Sequence, residues 1–528
     1  MLLNPSQRRI LIWTIYLVVL FFFAFSEAWS ILLETAKAGL DHPFGPDPTL
    51  WGKAALMARY NAPQTIPPAF PELASLLAQS DSLVQGAIRA NVTGFFLTVV
   101  SVGVGTAVLL GRSWASFFVG GIGAWVAAKT LYYYPSIFFF QPELLTLGAF
   151  SLLGCSVVLY LRRQDVRSIA FLGVATGILF SVREHGLVVL AALFLVLPFV
   201  LPRLKKWSGL LCFLVGLQLG GSLAAGSPTQ PFFFPHGGFN GSITKATIAI
   251  TDSLSLAQGN DGAISTGIQK EGAQNTAYLQ SMRGQAAQKA SDFYPSFAIA
   301  GLGLLGVFLR FGTRGVLLSA ALFSPLVASL LVWTQWRHFF VLSGMSIIFA
   351  CGGSLLLAPR FLRSMFSMVV FLIASAMVAQ WEPYQEQKKK IEIRRLVAQQ
   401  KKHMSEREQA LYLRSHAEEG SVVMASDVVA ILAGLPPIKL HDREVYTRKD
   451  PSWPNFIYRT YLLSERAPSV HWEQKEYIGG MGIYRWPRPE GVEHRCLYGT
   501  WVGRLVEKVP EHLDRPQPSA ASNCSLSE

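Results

Sequence analysis

RRILIWTIYLVVLFFFAF, residues 8–25, places two arginines ahead of a run that carries no charge as far as Phe25. No stripe of polar residues recurs at the helical period, so this is not the half-wet helix of a soluble domain. Extended to about residue 30, it covers the roughly 20 residues that an α-helix needs to cross ~30 Å of hydrocarbon. Basic residues ahead of an apolar stretch also open secretory signals. Here the run is long enough to span and no small-residue cleavage site follows cleanly, so it reads as a retained first membrane helix.

The pattern recurs along the chain. Further apolar spans lie at about 91–111, 115–133, 143–161, 168–183, 186–201, 208–225, 295–310, 315–333, 339–358 and 365–380. Only 15% of the 528 residues are charged, against about 25% in soluble domains, and the deficit falls between Arg9 and Gln380. Serial spans mean a helical bundle, because lipid offers backbone groups no partner outside their own helix. The predicted fold is therefore an α-helical polytopic membrane protein of about eleven transmembrane helices. A small C-terminal α/β domain follows it outside the cytoplasm.

Charge placement sets the topology. Arg8/Arg9, Arg112, Arg162/Arg163/Arg167, Arg203/Lys205/Lys206, Arg310/Arg314 and Arg360/Arg363 fall on every second side, which the positive-inside rule assigns to the cytoplasm. The net charge of +13 is explained by that distribution. A nucleic-acid partner would need a basic stripe on one soluble face, and none is evident. Loops 31–88 and 226–294 then lie outside, with everything after residue 380. Lys388, Lys389, Lys390, Arg394 and Arg395 oppose the rule there, but long domains translocate largely regardless of charge. A bacterial inner membrane is the expected location, with a cytoplasmic amino terminus and a periplasmic C-terminal domain.

The domain plan is a membrane domain over 1–380, a helical juxtamembrane linker over 381–415, an α/β domain over 416–509 and a disordered Pro/Ser-rich tail over 510–528. In the α/β domain, Ser421–Ala425 reads as a strand and Asp427–Leu432 as a helix stopped by Gly434-Leu-Pro-Pro437. Tyr477–Trp486 holds a Gly-Gly turn before another strand. Cys155, Cys212 and Cys351 lie in spans as inert thiols. Cys496 and Cys524 fall in the tail region, where an oxidising compartment would allow them to pair. No CxxC or His/Cys cluster suggests zinc.

Transporters place ionisable or broken-helix sites at mid-membrane. This chain keeps few charges in its spans and puts its polar residues in outer loops, which suits a site at the outer face. The first loop reads Asp47-Pro-Thr-Leu-Trp-Gly-Lys-Ala-Ala-Leu-Met-Ala-Arg59, then Ile66-Pro-Pro-Ala-Phe-Pro-Glu-Leu73. Asp47 is placed to N-cap a short amphipathic helix with Trp51, Ala55 and Ala58 on one face. Glu143, beside Pro142, is likewise placed to cap a span, and Arg183 and Arg337 to sit at the interface with their stems in lipid. His185 and His338 read as structural. His236, in Pro235-His-Gly-Gly, is a candidate substrate contact, and loop 226–294 has the length of a substrate lid.

An acidic residue after the first span, an interfacial helix and a Pro-Pro-aromatic-Pro stretch resemble the GT-C superfamily of polyprenyl-phosphate-sugar-dependent glycosyltransferases. The closer likeness is to its protein O-mannosyltransferase and aminoarabinose-transferase branch. Tyr132-Tyr-Tyr-Pro-Ser-Ile-Phe-Phe-Phe-Gln-Pro-Glu143 resembles the second outer loop of that family. Leu179-Phe-Ser-Val-Arg183-Glu-His-Gly resembles its Leu-Thr-Lys/Arg-Pro turn, and Trp336-Arg337-His338-Phe-Phe the start of a late helix. Val428-Val-Ala-Ile-Leu-Ala-Gly434 is similar to a stretch of its outer domain. The order of these pieces runs from about residue 1 to 490.

The resemblance implies transfer of a sugar from a polyprenyl-phosphate donor to a lipid, glycan or protein acceptor at the outer face. Asp47 would be the general base, and Glu143 would orient the acceptor or Asp47. Arg183, Arg337, His338, Arg59 and Lys53 would bind substrate. The sequence departs from the family at Asp47-Pro-Thr, where an Asp-Glu-aromatic context is usual, so Asp41 and Glu27 stand as alternatives. His338 replaces a common Tyr. No Asp-x-Asp occurs in the outer loops, so no catalytic metal and no other cofactor is expected. A lipid-linked glycan flippase and a non-catalytic assembly subunit on the same scaffold are the rival readings.

Overall fold

The computed structural model describes residues 4–38, 46–59, 66–78, 82–111, 114–131, 140–183, 185–201, 206–224, 294–331, 340–359, 362–417, 421–435, 460–464, 473–478 and 480–485. The helices in chain order begin with α1 (Pro5–Ala38), α2 (Pro46–Arg59), α3 (Ala69–Ala78), α4 (Leu83–Leu110), α5 (Trp114–Leu131) and α6 (Glu143–Arg163). They continue with α7 (Val166–Val182), α8 (His185–Val200), α9 (Lys206–Ala224), α10 (Tyr294–Phe311) and α11 (Thr313–Leu331). Next are α12 (Ser343–Ile347), which passes into a π-helical stretch at Ile348–Gly353, and α13 (Arg363–Lys402), α14 (Met404–His416) and α15 (Asp427–Ala433). The chain forms two compact units. The first comprises Met1–Glu34, Asn91–Ile137 and Pro142–Lys390; the second comprises Thr35–Ala90, Phe138–Gln141 and Ile391–Glu528.

Among the described residues, each of the eleven expected spans falls mainly on helix, that at 339–358 on α12 and its π-helical continuation. Among the described residues, five stretches, Ile10–Lys37, Leu83–Leu110, Glu143–Arg163, Trp207–Ala224 and Arg363–Tyr384, are long and apolar enough to cross a membrane. Large apolar side chains on α1, α9 and α13, among them Phe22, Trp207 and Leu372, stand exposed. A surface so apolar suits lipid rather than water. The chain is an integral membrane protein.

One end of the first unit is held by the arginines that the charge pattern singles out. Arg162, near the end of α6, donates to the carbonyl of Leu109 at the end of α4 (Nε 3.1 Å) and lies 5.3 Å from the ring centre of Phe311 at the end of α10. Arg314, at the start of α11, donates to the Gln164 side chain (2.7 Å). The Tyr160 hydroxyl reaches the carbonyl of Val200 at the end of α8 (3.4 Å). Gln164 caps α6 in the left-handed region (φ 52°), and the following residue, Asp165, caps α7. Asp165 accepts from the Ser168 amide at 2.8 Å while its own amide donates to the Ser168 hydroxyl, a reciprocal capping box. The hydrogen bonds from the Ser168 side chain and amide hold the Asp165 carboxyl below the usual range, with Arg163 and Arg167 adding to the effect.

Inside the unit, helices meet through glycine, as lipid-embedded helices do when van der Waals contact must replace the hydrophobic effect. Gly173 and Gly177 of α7 face the backbone of Phe213 and Leu217, while Gly216 and Gly220 of α9 face that of Ala170 and Val174. A Cβ at any of the four would overlap a carbonyl of the other helix. The Ser181 hydroxyl bridges the pair through the carbonyls of Gly177 (3.0 Å) and Gly221 (3.3 Å). Gly94 and Gly148 make the same kind of crossing between α4 and α6.

The second unit contains a four-stranded sheet of β1 (Val422–Met424), β2 (Thr460–Ser464), β3 (Glu473–Ile478) and β4 (Met481–Arg485), in the order β1-β2-β4-β3. The β1–β2 pair is parallel and the other two are antiparallel, with Val423 opposite Tyr461 and Leu463 opposite Ile483. The expected strand, helix and stop at 421–434 are all present. Ser426 caps α15 through the Val429 amide, and Gly434 ends it at φ 69°.

Two features differ from expectation. The first outer loop is largely helical: α1 runs on to Ala38, α2 and α3 follow, and α4 begins at Leu83. The last span and the juxtamembrane helix are one element, α13, which passes through Pro383. A proline removes one donor and clashes with one carbonyl, but it does not have to end a helix when neighbours absorb the defect.

Candidate functional site

Glu143 opens α6, behind a Pro142 cap whose carbonyl accepts from both the amide (2.8 Å) and the hydroxyl (2.7 Å) of Thr146. Arg183 closes α7 in extended conformation (φ −156°, ψ 151°), its amide bonded to the Leu179 carbonyl at 3.1 Å. The Gly186 amide returns to the Arg183 carbonyl at 3.0 Å, and a Cβ at Gly186 would overlap the backbone of Phe180. Glycine therefore permits the tight turn that sends the chain into α8.

These two helix ends bring Arg183 Nη2 within 3.5 Å of Glu143 Oε1. The Glu143 side chain is 2% exposed and that of Arg183 9%. Each charge sits at the helix terminus whose dipole favours it, the carboxylate at an amino end and the guanidinium at a carboxyl end. They occupy the end of the unit opposite to Arg162 and Arg314, since α6 and α7 each run the length between. His185 opens α8, is buried, and meets Phe150 of α6 edge-on at 6.3 Å between ring centres. A buried ion pair is costly to desolvate. In a membrane bundle it marks a site to be tested for function.

A second pair lies in the same unit. Lys129 Nζ is 3.1 Å and 3.2 Å from the two carboxylate oxygens of Glu27, joining α5 to α1. Glu27 is an alternative to Asp47 in the sequence. Its partner was legible only as the single cation of an apolar span.

The remaining site residues fall in the second unit or outside the described residues. Asp47 is the second residue of α2, inside its first turn rather than at its cap. Trp51, Ala55 and Ala58 are buried, as the amphipathic reading expects, and Trp51 meets Phe70 of α3 edge-on at 5.7 Å. Lys53 forms an ion pair with Asp427 of α15 at 2.5 Å, and Arg59 lies beside Gly434, its Nη1 3.1 Å from where a Cβ would stand. Both cations proposed for substrate are thus turned toward α15. Nothing local in the sequence signals Asp427 as a partner. Arg337, His338, His236, Asp41, Cys496, Cys524, loop 226–293 and the tail after 485 lie outside the described residues.

No family model matches the chain, and no curated protein matches it. Solved structures of low identity are similar to it over most of its length. An oligosaccharyltransferase of Archaeoglobus fulgidus in complex with Zn and sulfate is 12% identical with a TM-score of 0.45, over 85% of this chain and 67% of that one. ArnT from Cupriavidus metallidurans bound to undecaprenyl phosphate is 11% identical with a TM-score of 0.47, over 90% and 97%. The same ArnT in the apo state is 10% identical with a TM-score of 0.46, over 88% and 97%.

Proposed function

We propose that the chain is a membrane glycosyltransferase, which moves a sugar from a polyprenyl-phosphate donor to an acceptor at the outer face of a bacterial inner membrane. The observation that carries this reading is the buried Glu143–Arg183 pair. Two stretches that resemble separate family motifs, far apart in the chain, supply the two halves of one contact.

The chemistry asks for a base and a cation. An acceptor hydroxyl attacks the sugar carbon in line as the carbon–oxygen bond to phosphate breaks. The acceptor's proton passes to a carboxylate, and the polyprenyl phosphate leaves with added negative charge. Arg183 supports that charge, because a guanidinium stays protonated and its planar fork matches phosphate oxygens. Glu143 fixes the plane of the guanidinium. Asp47 takes the proton, a role in which a placed carboxylate contributes about 10²–10⁴-fold. Arg337 and His338 remain further candidates for the donor. The arginine-rich end of the first unit faces the cytoplasm in this reading.

Undecaprenyl phosphate, added to the purified chain in detergent, tests the phosphate role. Thermal unfolding of the wild type is expected to shift upward with lipid concentration, by a stabilisation of about 2.7 kcal/mol at 100 times Kd. Arg183→Gln is expected to lose most of that shift. An equal shift in both proteins would remove Arg183 from the phosphate and leave the reading without its main support.

A further inference from the structure

We infer that α15 of the C-terminal sheet domain is a positioning element for α2, holding the helix that carries Asp47 in its working place. The inference rests on the assignment of Asp47 as the base.

Two matched stripes carry it. On α2, Gly52, Leu56 and Arg59 stand at i, i+4 and i+7, one helix face, with Lys53 at its edge. On α15, Asp427, Ile431 and the capping Gly434 stand at the same spacing. Lys53 pairs with Asp427 at 2.5 Å, Ile431 lies against Gly52, and Arg59 reaches the left-handed Gly434 that ends α15. A Cβ at Gly52 would stand 2.7 Å from Ile431 Cδ1, so the missing side chain is what lets the two helices approach. The guanidinium at the end of α15 also meets the carbonyl pole of that helix.

A neighbouring face of α2 is held as well. Trp51 packs on Phe70, and Phe70 on Phe140 at 6.0 Å, edge-on in both cases. A helix that only had to lie on a membrane surface would bury one stripe and leave the other wet. This one is gripped on two sides, and the second grip comes from a domain far along the chain. Lys53 and Asp427 remain 33% and 40% exposed, so their pair adds little to global stability. Its effect is geometric. Asp47 lies six residues, roughly 9 Å, up the same rigid helix from Lys53, and a displacement near 1 Å costs about 10²-fold in a reaction that depends on placement.

The test uses the full chain in its membrane, with three readouts: hydrogen exchange over residues 46–59, the cellular pool of polyprenyl-phosphate sugar, and the thermal shift with undecaprenyl phosphate. In Asp427→Lys, exchange over 46–59 is expected to quicken and the donor pool to rise tenfold or more, as in Asp47→Asn. The unfolding midpoint and the undecaprenyl-phosphate shift stay at wild-type values. Lys53→Asp combined with Asp427→Lys is expected to restore the slow exchange over 46–59. Gly52→Val, which separates the helices without changing charge, is expected to repeat the single-variant result. Wild-type donor pools in Asp427→Lys and Gly52→Val, beside an accumulating Asp47→Asn, would overturn the positioning role and leave the proposed function intact. Wild-type pools in Asp47→Asn itself would remove the base assignment, and the inference with it.

Discussion

Arg183→Leu is expected to destabilise the chain by about 3–5 kcal/mol, the usual result of stranding one member of a buried ion pair. Glu143 would stay behind, 2% exposed at the head of α6, without its ion pair to Arg183. Glu143→Leu should cost a similar amount, since it removes the carboxylate that pairs with the buried guanidinium at the end of α7. The double variant Glu143→Leu/Arg183→Leu is expected to recover most of the loss, because two apolar side chains of suitable size tolerate that environment without desolvation cost. Thermal unfolding in detergent reads the stabilities, and a double-mutant cycle isolates the coupling. The recovered double variant is the informative protein. If it folds like wild type but no longer responds to undecaprenyl phosphate, the pair serves a ligand at the expense of stability. Additive single effects would show that the two residues are not coupled.

Gly177→Leu is expected to cause a loss of the same order. Its Cβ would overlap the carbonyl of Leu217, so α7 and α9 would have to separate along their whole shared face. Overpacking against side chains costs about 1–3 kcal/mol, and backbone yields less readily, so a loss above about 3 kcal/mol is expected. A smaller substitution gives a test by sign. Gly→Ala within a helix gains roughly 0.5–1 kcal/mol from backbone entropy alone. Gly301→Ala, on α10 with nothing within 4 Å of the new methyl, should keep that gain, whereas Gly177→Ala should be destabilising. Equal responses in thermal unfolding would contradict the close α7–α9 contact. Because Arg183 caps α7, Gly177→Leu should also weaken the response to undecaprenyl phosphate.

The spans were legible because hydrocarbon demands apolar length and the run from Ile10 supplies it. That the arginines between spans gather at one end of the bundle was legible from their alternation, and Arg162 and Arg314 meet helix ends there. Local signals also carried the helix at 427–433 through its stop at Gly434, while its Ser426 cap emerged from the structure. Length beyond the lipid-like stretch was not legible. Glu34 and Lys37 interrupt the apolar run, yet α1 continues past both, and α13 continues past Pro383. The glycine contacts of Gly173 and Gly177 with α9, and of Gly216 and Gly220 with α7, were not read from the sequence, because they become meaningful only once the two helices are side by side. Glu143 and Arg183 were candidates singly, as was Lys53. That the first two share one contact, and that Lys53 belongs to Asp427, depends on pairing of distant segments, which no local propensity encodes.

The central claim is that this chain consumes a polyprenyl-phosphate sugar with a carboxylate as base. Mass spectrometry of lipids and surface glycans should compare cells carrying the wild-type chain, cells lacking it, and cells carrying Asp47→Asn at equal expression. Deletion and Asp47→Asn are expected to lose the same sugar addition and accumulate the same polyprenyl-phosphate sugar, with residual transfer in Asp47→Asn down by about 10²–10⁴-fold. Unchanged lipids and glycans in both would contradict it and leave transport or assembly as the role of the scaffold.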